Sequence, residues 1–335
     1  MKILFVCNYR AGVGGISGQV EILQRKLREE GLVADIFSTK ASVWKRLLLL
    51  KARLFRKAKE YDVIHVHCCS EWGFLPAVMG VSVGKKLGKR VVLTYHGGGG
   101  DRFFDKHPRL VHHYLTRTDV NIVLSGFLAG VFQKHGLPYT IIPNIIELDD
   151  SHFRQRQTIK PNCICTRAHE TLYNIPCILR AFQRVQSRVP DATLTLVGDG
   201  SQHHKLIHQV EEMGLKNVSF TGRVDNKEIY RYLDQADIIL SAPTADNMPV
   251  SLLEAMNAGL LVIASRVGGV PYLIEENVTG LLFTSDNDEE LAERILWAVS
   301  KDNNKAKEIL IQANHKVCDY RWENVKVKIL MVYEQ

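Results

Sequence analysis

Long apolar runs and paired cysteine motifs are what this 335-residue sequence lacks. No stretch of about 18 apolar residues occurs, which argues against a membrane-spanning helix, and the opening MKILFVCNYR is too short for the core of a signal peptide. The seven cysteines form no CxxC pair. Cys163 and Cys165 share one face of a predicted strand, but buried thiols in a reducing compartment explain them more simply than a metal or disulfide site. We expect a cytoplasmic protein.

Acidic residues are also missing from one segment. Lys40–Lys59 carries eight basic residues and no acidic one, interleaved with Leu47–Leu50, Leu54 and Phe55, in a chain of net charge +7. This pattern predicts a basic amphipathic helix. Its apolar side would either pack on its own domain or dock on an anionic membrane surface, which would make the protein peripheral to the membrane. No nucleic-acid motif accompanies the charge, so nucleic acid is not an expected partner.

What the sequence does contain is a regular alternation of short apolar runs with amphipathic segments of helix length. The predicted strands are Ile3–Cys7, Ala34–Ser38, Val63–His67, Arg90–Thr94, Asn121–Leu124 and Tyr139–Ile142, and then Asn162–Thr166, Thr193–Val197, Val218–Thr221, Ile238–Ser241, Leu261–Ala264 and Leu281–Phe283. Such alternation favours parallel sheets covered by helices on both faces. The predicted fold class is therefore α/β, with two doubly wound, Rossmann-like halves.

The polar and unpatterned stretch Pro143–Lys160 is the predicted interdomain linker. We therefore expect an N-terminal domain over residues 1–150 and a C-terminal domain over residues 151–316, followed by a last segment over 317–335. Ligands bind outside the carboxyl ends of the strands in such sheets. Two facing halves of this kind are expected to enclose a cleft.

Two glycine-rich loops follow predicted strands. In Ala11–Gly18 the glycines let the backbone turn sharply and aim N–H groups at a ligand, although a plain tight turn explains them equally well because the spacing is not GxGxxG. His96 ends the fourth strand just before Gly97–Gly100, which predicts a substrate contact. His65 and His67 lie on one face of the preceding strand, but no carboxylate shares their spacing, so no metal site is expected.

The segment Asp246–Met256, DNMPVSLLEAM, is the most informative one. It follows a predicted buried strand and opens a helix, with Asp246 before the helix and Glu254 inside its first turns. The N–H groups around Pro249–Leu253 lie at a helix N-terminus and can hold a diphosphate without a metal. A carboxylate one to two turns further in can accept hydrogen bonds from ribose hydroxyls, although an acidic residue in a first turn is also ordinary capping.

At this segment the sequence resembles the family-4 retaining glycosyltransferases of the GT-B fold, which have an acidic residue, seven others and then Glu in a context like EGxxxxxLEAM. This chain has DNMPVSLLEAMNAGLLVIASRVGGVPYLI in the corresponding place. The resemblance extends through Gly14-Gly15-Ile16, DVIHVH, TYHGG, IIPNIIE, LTLVGDG and VSFTGRV. The last residues, YRWENVKVKILMVYEQ, resemble the family's helix that crosses back onto the N-terminal domain, here within residues 317–335.

The resemblance implies a role for each matching residue. Glu254 would bind the donor ribose, Asp246 the transferred sugar, and Arg167 the donor phosphates. His96 would reach the donor from the N-terminal half together with Gly15, and His96, Asp246 and Arg167 would form the catalytic set. The other donor-binding residues would be Gly14 in the glycine loop, Tyr173, Gly222, Arg223 and Val224 against the base, Met248 and Pro249, and Val250, Ser251, Leu252 and Leu253 at the pyrophosphate.

Two positions depart from the family pattern. The family has a Lys-Gly pair six residues after the arginine, where this chain has Tyr173-Asn174, and a phenol cannot act as the counter-charge of a phosphate. Phosphate neutralisation would then rest on Arg167, the helix N-terminus and a further base such as Arg10 or Arg266. Asp246 is one methylene shorter than the usual Glu, which changes the sugar contact. An inactive, nucleotide-sugar-binding relative is therefore one alternative.

The implied reaction moves a hexose from a nucleoside diphosphate sugar, a UDP-sugar or GDP-mannose, to a glycan or lipid-linked glycan, and it keeps the anomeric configuration. No DxD-like pair stands where Mg²⁺ would be needed, so neither a metal nor a cofactor is expected. The implied route is front-face, with the leaving phosphate helping to deprotonate the acceptor. Nucleotide-sugar 2-epimerases share the architecture and are a second alternative, although the Asp-x7-Glu segment argues against them. A dehydrogenase would need the absent GxGxxG fingerprint.

Overall fold

The computed structural model describes residues 1–10, 15–40, 47–147, 152–225, 228–301 and 303–334. The chain divides into two compact units. Unit 1 comprises Met1–Glu147 together with Tyr320–Gln335, and unit 2 comprises Leu148–Asp319. Each unit is built around its own six-stranded sheet.

The sheet of unit 1 is parallel throughout. Its strands are β1 (Lys2–Cys7), β2 (Val33–Ser38), β3 (Val63–Cys68), β4 (Arg90–Tyr95), β5 (Val120–Val123) and β6 (Thr140–Ile141). Their order across the sheet is β2-β1-β3-β4-β5-β6. Since the direction of winding reverses between β1 and β3, the carboxyl ends of these two strands flank a topological switch point, where open α/β sheets bind ligands.

Helices cover both faces of this sheet. The first six are α1 (Ile16–Glu29), α2 (Leu47–Ala58), α3 (Leu75–Lys86), α4 (Gly100–Lys106), α5 (Pro108–Leu115) and α6 (Gly126–Lys134). Side-chain alternation along β1 separates the two layers, because Leu4 and Val6 join the apolar cluster of α2–α6, whereas Ile3 and Phe5 join the cluster of α1. A strand buried on both faces is expected to be apolar throughout.

Unit 2 has a second parallel sheet. Its strands are β7 (Asn162–Cys165), β8 (Thr193–Val197), β9 (Val218–Gly222), β10 (Ile238–Ser241), β11 (Leu261–Ser265) and β12 (Leu281–Phe283). The order β12-β11-β10-β7-β8-β9 is the strand order of the Rossmann fold, with its switch point between β7 and β10.

The helices of unit 2 follow the same alternation. They are α7 (Ile175–Gln186), α8 (His203–Glu212), α9 (Ile229–Gln235), α10 (Val250–Asn257), α11 (Val270–Leu273), α12 (Asp288–Ala298) and α13 (Asn304–Val317). Two of them begin with an asparagine cap, in which Asn287 accepts from the N–H of Glu290 at 3.1 Å and Asn303 accepts from that of Ala306 at 3.0 Å. Such caps satisfy N–H groups that have no partner inside the helix.

The last helix, α14 (Trp322–Glu334), belongs to unit 1. Trp322, Val325 and Ile329 are buried in the same apolar cluster as Ile3 and Phe5. The helix therefore completes the α1 face of the first sheet. The segment 317–335 was expected to form this helix, but Val317 ends α13 and helix α14 begins at Trp322.

The predicted linker Pro143–Lys160 is more ordered than its polar composition suggested. Ile145 is buried in unit 1, where the side chain of Gln19 holds both its N–H and its carbonyl at 3.0 Å. Arg156 is buried in unit 2, where it pairs with Asp237 at 2.8 Å and donates to several backbone carbonyls. Residues 148–151 lie outside the described parts of the chain.

The segment predicted as a basic amphipathic helix, Lys40–Lys59, forms α2 from Leu47 onward, and residues 41–46 lie outside the described residues. Leu54 is fully buried against unit 1, whereas Leu48 and Leu49 are 80% and 67% exposed. None of the helices in the described ranges is long and apolar enough to cross a membrane.

All seven cysteines are free thiols. Burial raises the pKa of Cys163 to about 12 and that of Cys165 to about 11. These two side chains therefore belong to the core of unit 2, in keeping with the simpler interpretation of the sequence.

Candidate functional site

The switch point of unit 2 gathers residues from separate parts of the chain. β7 and β10 are neighbours in the sheet, so the segments that follow their carboxyl ends meet at one edge. Arg167 comes two residues after β7, and the loop of Asp246 lies between β10 and α10. The two predicted catalytic residues of this unit are thus brought into contact.

Arg167 is the centre of this group. Its guanidinium forms an ion pair with Asp246, and its Nη1 donates to the hydroxyl of Ser251 at 3.0 Å. The side chains of Arg167 and Asp246 are only 11% and 16% exposed. Burial opposes the charge on Arg167, but Asp246 together with Tyr173 and Cys165 outweighs this effect, and the pKa of Arg167 is raised. The arginine is therefore a permanent cation in a site with little water.

Tyr173 has a different role from the lysine that it replaces. Its ring lies 4.2 Å from the guanidinium carbon of Arg167, within the range of a cation–π contact. It ends a short 3₁₀ turn, Thr171–Tyr173, just before Asn174 in a left-handed conformation. Tyr173 thus contributes a flat surface that orients Arg167, and adds no positive charge.

Glu254 lies one turn beyond Ser251 in α10. Burial raises the pKa of Glu254 to about 7, against the opposing effect of the Arg167 charge. A carboxyl group with this pKa exchanges its proton near neutral pH, so a ligand that offers hydroxyl groups can stabilise its ionised form. The predicted ribose contact is chemically consistent with this environment.

The N-terminus of α10 has no side-chain cap, and Pro249 precedes its first residue. The predicted pyrophosphate contacts Val250, Ser251, Leu252 and Leu253 form the first turn, where N–H groups are not used within the helix. The N–H of Leu252 is already bonded to the carbonyl of Pro249 at 3.1 Å. The other N–H groups of the turn are the ones to which the predicted role applies. Met248 is 8% exposed and packs as part of the core.

Gly268 and Gly269 hold the Asp246 loop in place. Both belong to the motif quoted above, which assigned them no role. The N–H of Gly269 donates to the carbonyl of Asp246 at 3.0 Å. A Cβ atom on Gly268 would lie 2.0 Å from the carbonyl oxygen of Asp246, and one on Gly269 would lie 2.0 Å from that of Asn247. Gly268 also has φ +49°. Only glycine permits this close approach, which sets the position of Asp246.

The residues predicted to lie against the base are not next to Arg167. Gly222 ends β9, and Arg223 and Val224 follow it. β9 is the edge strand, separated from β7 by β8, which puts the loop about 10 Å away across the sheet. A ligand in contact with both would have to span that distance along the carboxyl edge.

In unit 1, His96 follows β4 and is half-buried. Its Nε2 lies 2.9 Å from Nδ1 of His67, a partner that the sequence interpretation did not assign. Burial lowers the pKa of His96 to about 3, so the ring is neutral at physiological pH. Gly15 has φ +69° and is the N-terminal cap of α1, whereas Gly14 lies outside the described residues.

Within the described parts of the chain, no group of three or more His, Cys, Asp or Glu side chains is arranged to hold a metal ion.

Two family models match the chain. The model for glycosyltransferase family 4 matches residues 14–150, and that for glycosyl transferases group 1 matches residues 155–317. The N-acetyl-alpha-D-glucosaminyl L-malate synthase of Bacillus anthracis is 25% identical over 66% of this chain and 61% of that protein. The amylovoran biosynthesis glycosyltransferase AmsK of Erwinia amylovora is 36% identical over 37% of this chain and 32% of its own length. The chain thus spans less than two thirds of the length of these two relatives.

Among solved structures, Anabaena HepE in complex with UDP-glucose superposes with a TM-score of 0.79 at 20% identity, and the match covers 99% of this chain and 98% of HepE. This likeness concerns the fold. Taken with the two family models, the parallel sheets and the Asp246–Glu254 segment, it shows that the chain belongs to the family-4, group-1 glycosyltransferases and shares their GT-B fold.

Proposed function

We propose that this protein is a retaining hexosyltransferase that takes its sugar from a nucleoside diphosphate donor. The observation that carries the proposal is the position of Arg167, whose guanidinium contacts Asp246 and the first turn of α10. A buried cation beside a helix N-terminus suits a diphosphate, because both supply positive charge where water is scarce. Glu254, in the same helix, would accept hydrogen bonds from the donor ribose.

Donor binding would exchange one partner of Arg167 for another. Without donor, the Asp246 carboxylate neutralises the guanidinium. A phosphate oxygen would take the place of that carboxylate, while Ser251 keeps its hydrogen bond to Nη1. The released Asp246 carboxylate would then bind hydroxyl groups of the transferred sugar, which is the role that the family resemblance implies for this position.

The reaction would break the bond between the anomeric carbon and the diphosphate oxygen, and it would form a bond from that carbon to the acceptor oxygen on the same face. The acceptor proton would pass to the leaving diphosphate. Arg167 and the N–H groups of α10 would stabilise the charge that develops there, so the proposal includes neither a metal nor a cofactor. UDP-hexose is the first donor to test, since HepE binds UDP-glucose, and GDP-mannose is the second.

The test is calorimetric titration with UDP-, GDP-, ADP- and dTDP-sugars in the presence of EDTA. One donor should bind to the wild-type protein, Glu254→Ala should lose that binding, and Glu293→Ala should keep it. Glu293 is an exposed residue of α12 and serves as the matched control. The bound donor is then incubated with candidate glycan acceptors.

Three outcomes would contradict the proposal. Binding that requires a divalent cation would remove its metal-independent part. Conversion of the donor alone, without an acceptor, would indicate an epimerase. Absence of binding to any donor would indicate an inactive relative, and Tyr173 would then be the first position to change to Lys.

We further propose that α2 docks the protein on an anionic membrane surface, where a lipid-linked acceptor would be met. Leu48 and Leu49 are exposed at the start of this helix, and its basic residues have no acidic neighbour within it. Leu48 and Lys51 line a groove of about 420 Å³ between α2 and α3, together with Phe55 and Lys86. Exposed leucines beside basic side chains favour insertion at the level of anionic headgroups.

Co-sedimentation with vesicles that contain anionic lipid tests this second proposal. Neutralising Lys51 and Arg53, or changing Leu48 to Ser, should reduce the bound fraction, and raised salt should do the same. The matched control neutralises Lys205 and Lys216, two exposed lysines of unit 2. Equal binding by all these proteins would exclude α2 as the docking element.

A further inference from the structure

Four buried polar side chains of unit 1, which none of the proposed roles uses, form hydrogen bonds in two separate sets. Nδ1 of His65 lies 2.7 Å from the hydroxyl of Tyr333 in α14, and its Nε2 lies 2.8 Å from the hydroxyl of Thr94. Two residues further along β3, Nδ1 of His67 lies 2.9 Å from Nε2 of His96. The four side chains other than His96 are at most 4% exposed. Together the two sets extend from the last helix to the predicted substrate-contacting histidine.

The strand geometry explains why these groups meet. β3 and β4 are paired with His67 opposite Thr94. Residues two apart in a strand share one face, so His65 and His67 lie side by side, with ring centroids 4.3 Å apart. Both rings also contact Phe5 from β1. Packing on three strands therefore fixes the orientation of the imidazoles.

All three imidazoles are neutral near physiological pH. Burial lowers the pKa of His65 and that of His96 to about 3, and it lowers the pKa of His67 well below its usual value. A neutral imidazole has one N–H donor and one bare nitrogen acceptor. The hydrogen bond at one nitrogen of such a ring therefore determines which of its two nitrogens carries the proton.

Tyr333 determines the direction of the hydrogen bonds that His65 makes. If His65 donated to the phenol oxygen, the buried hydroxyl proton of Tyr333 would need another acceptor. Among the described residues, His65 is the one hydrogen-bond partner of this hydroxyl. A buried donor without an acceptor is unfavourable, because it loses the hydrogen bond that it makes to water in the unfolded chain. The phenol therefore donates to Nδ1 of His65, and the N–H at Nε2 of His65 donates to Thr94. The hydroxyl proton of Thr94 is then free to point elsewhere.

A small cavity lies next to Thr94. It has a volume of about 30 Å³, and Thr94, His67 and His96 are among its lining residues. That volume is sufficient for about one water molecule. Nε2 of His67 is buried and has no hydrogen-bond partner among the residues that the structure describes. The cavity is thus lined by a threonine whose hydroxyl has a proton to donate and by a histidine with an unpaired nitrogen.

We propose that this cavity is a binding site for one water molecule, which accepts from Thr94 and donates to Nε2 of His67. His67 is then protonated at Nδ1 and donates to Nε2 of His96. His96 in turn carries its proton at Nδ1 and presents an N–H donor to its ligand. His67 is a positioning residue, since it acts on the substrate only through His96. The positioning role of His67 rests on the proposed sugar transfer. The tautomer of His96 does not depend on that proposal.

The test is the tautomer of His96, measured by nitrogen NMR on the whole donor-free protein with ¹⁵N-labelled histidine. The signals of His96 are identified by their loss in His96→Gln. We expect a protonated Nδ1 and a bare Nε2 in the wild-type protein. His67→Asn, whose amide N–H takes the place of Nδ1–H, should keep this tautomer. His67→Leu should shift His96 towards protonation at Nε2, and Tyr333→Phe should do so in part.

A wild-type His96 protonated at Nε2 would overturn the proposal even if every variant failed to fold, and so would an unchanged tautomer in a folded His67→Leu. In transfer assays, kcat should fall about tenfold in His67→Leu, the effect of one hydrogen bond, and be largely restored in His67→Asn, with little change in KM. If the tautomers behave as expected while no protein transfers sugar, the proposed function fails and the water site stands.

Discussion

Arg167 contacts three residues of unit 2, and it uses a different property of its guanidinium for each. Its charge pairs with Asp246, a second nitrogen donates to Ser251 at 3.0 Å, and its flat face lies 4.2 Å from the ring centre of Tyr173. Lysine shares the charge but has neither the forked donors nor the flat face. Because of this, the two residues are not interchangeable at this position.

Changing Arg167 to Lys is therefore expected to weaken donor binding by about tenfold to a hundredfold, which corresponds to about one or two hydrogen bonds. The ammonium cannot bond Ser251 and a phosphate in one planar arrangement. Calorimetric titration with the preferred donor measures the effect. Arg188→Lys, at an exposed position after α7, is the control and should bind like the wild-type protein. Unchanged binding in Arg167→Lys would show that the guanidinium geometry is unimportant.

The raised pKa of Glu254, about 7, gives the protein a specific dependence on pH. Ribose hydroxyls would stabilise the ionised carboxylate, so its pKa should be lower in the complex than in the free protein. Donor affinity should then decrease as the pH falls below about 7, by at most about tenfold per pH unit, and remain constant at higher pH. Titrations between about pH 5.5 and 8.5 measure this, and Glu254→Gln should show no such dependence.

The same carboxyl group makes the stability of the folded protein depend on pH in the opposite direction. Since the folded protein holds this proton more strongly than the unfolded chain, stability should decrease as the pH rises from about 4.5 to about 7. Denaturant unfolding of the donor-free protein at several pH values measures this contribution. Compared with wild type, Glu254→Gln should become relatively more stable over that interval, and a constant difference would argue against a buried carboxyl with a raised pKa.

At the scale of elements, the strands of unit 2 could be predicted closely from the sequence. β8, β10 and β12 have their predicted bounds, because each is a short apolar run that ends at Gly or at polar and Pro-containing turns. Helices α4 and α6 are harder to recognise from the sequence, because they begin at Gly100 and Gly126 and glycine is a weak helix former. Gly100 belongs to the tract predicted as a loop, yet buried Phe103 and Phe104 hold it in a helix.

The candidate site shows the same division between local and long-range information. Motif spacing predicted that Asp246 precedes a helix that carries Glu254 in its first turns. It did not reveal the contact of Arg167 with Asp246, which joins positions 79 residues apart. The bond between His65 and Tyr333 spans 268 residues. Such pairings depend on strand order and packing, and local patterns in one sequence contain no record of them.

The loop between β11 and α11 supplies a prediction at this scale. Replacing Gly269 by Ala should displace the Asp246 loop, because the new methyl group would lie 2.0 Å from the carbonyl oxygen of Asn247. We expect a lower melting temperature and weaker donor binding. Gly130→Ala is the control, since a Cβ atom there meets nothing within 4 Å and the residue lies in α6. Normal donor binding by Gly269→Ala would show that the glycine pair does not position Asp246.

For the molecule as a whole, the division into two units predicts local effects of core mutations. Ile329 of α14 is 4% exposed in unit 1, and Ile309 of α13 is 1% exposed in unit 2. Each change to Ala should lower stability by about 2–5 kcal/mol, because it leaves a cavity in a packed core. Hydrogen exchange measured by mass spectrometry should show faster exchange only in the unit that carries the mutation. Equal acceleration in both units would mean that they unfold together.

The return of α14 to unit 1 has a consequence for how the chain is made. A ribosome releases residues 1–147 first, then all of unit 2, and only afterwards the segment Tyr320–Gln335 that completes unit 1. Unit 2 is continuous, so a nascent chain can finish it while the apolar cluster of Ile3, Phe5 and α1 still lacks its covering helix. Synthesis of unit 1 therefore starts before that of unit 2 and is completed after it.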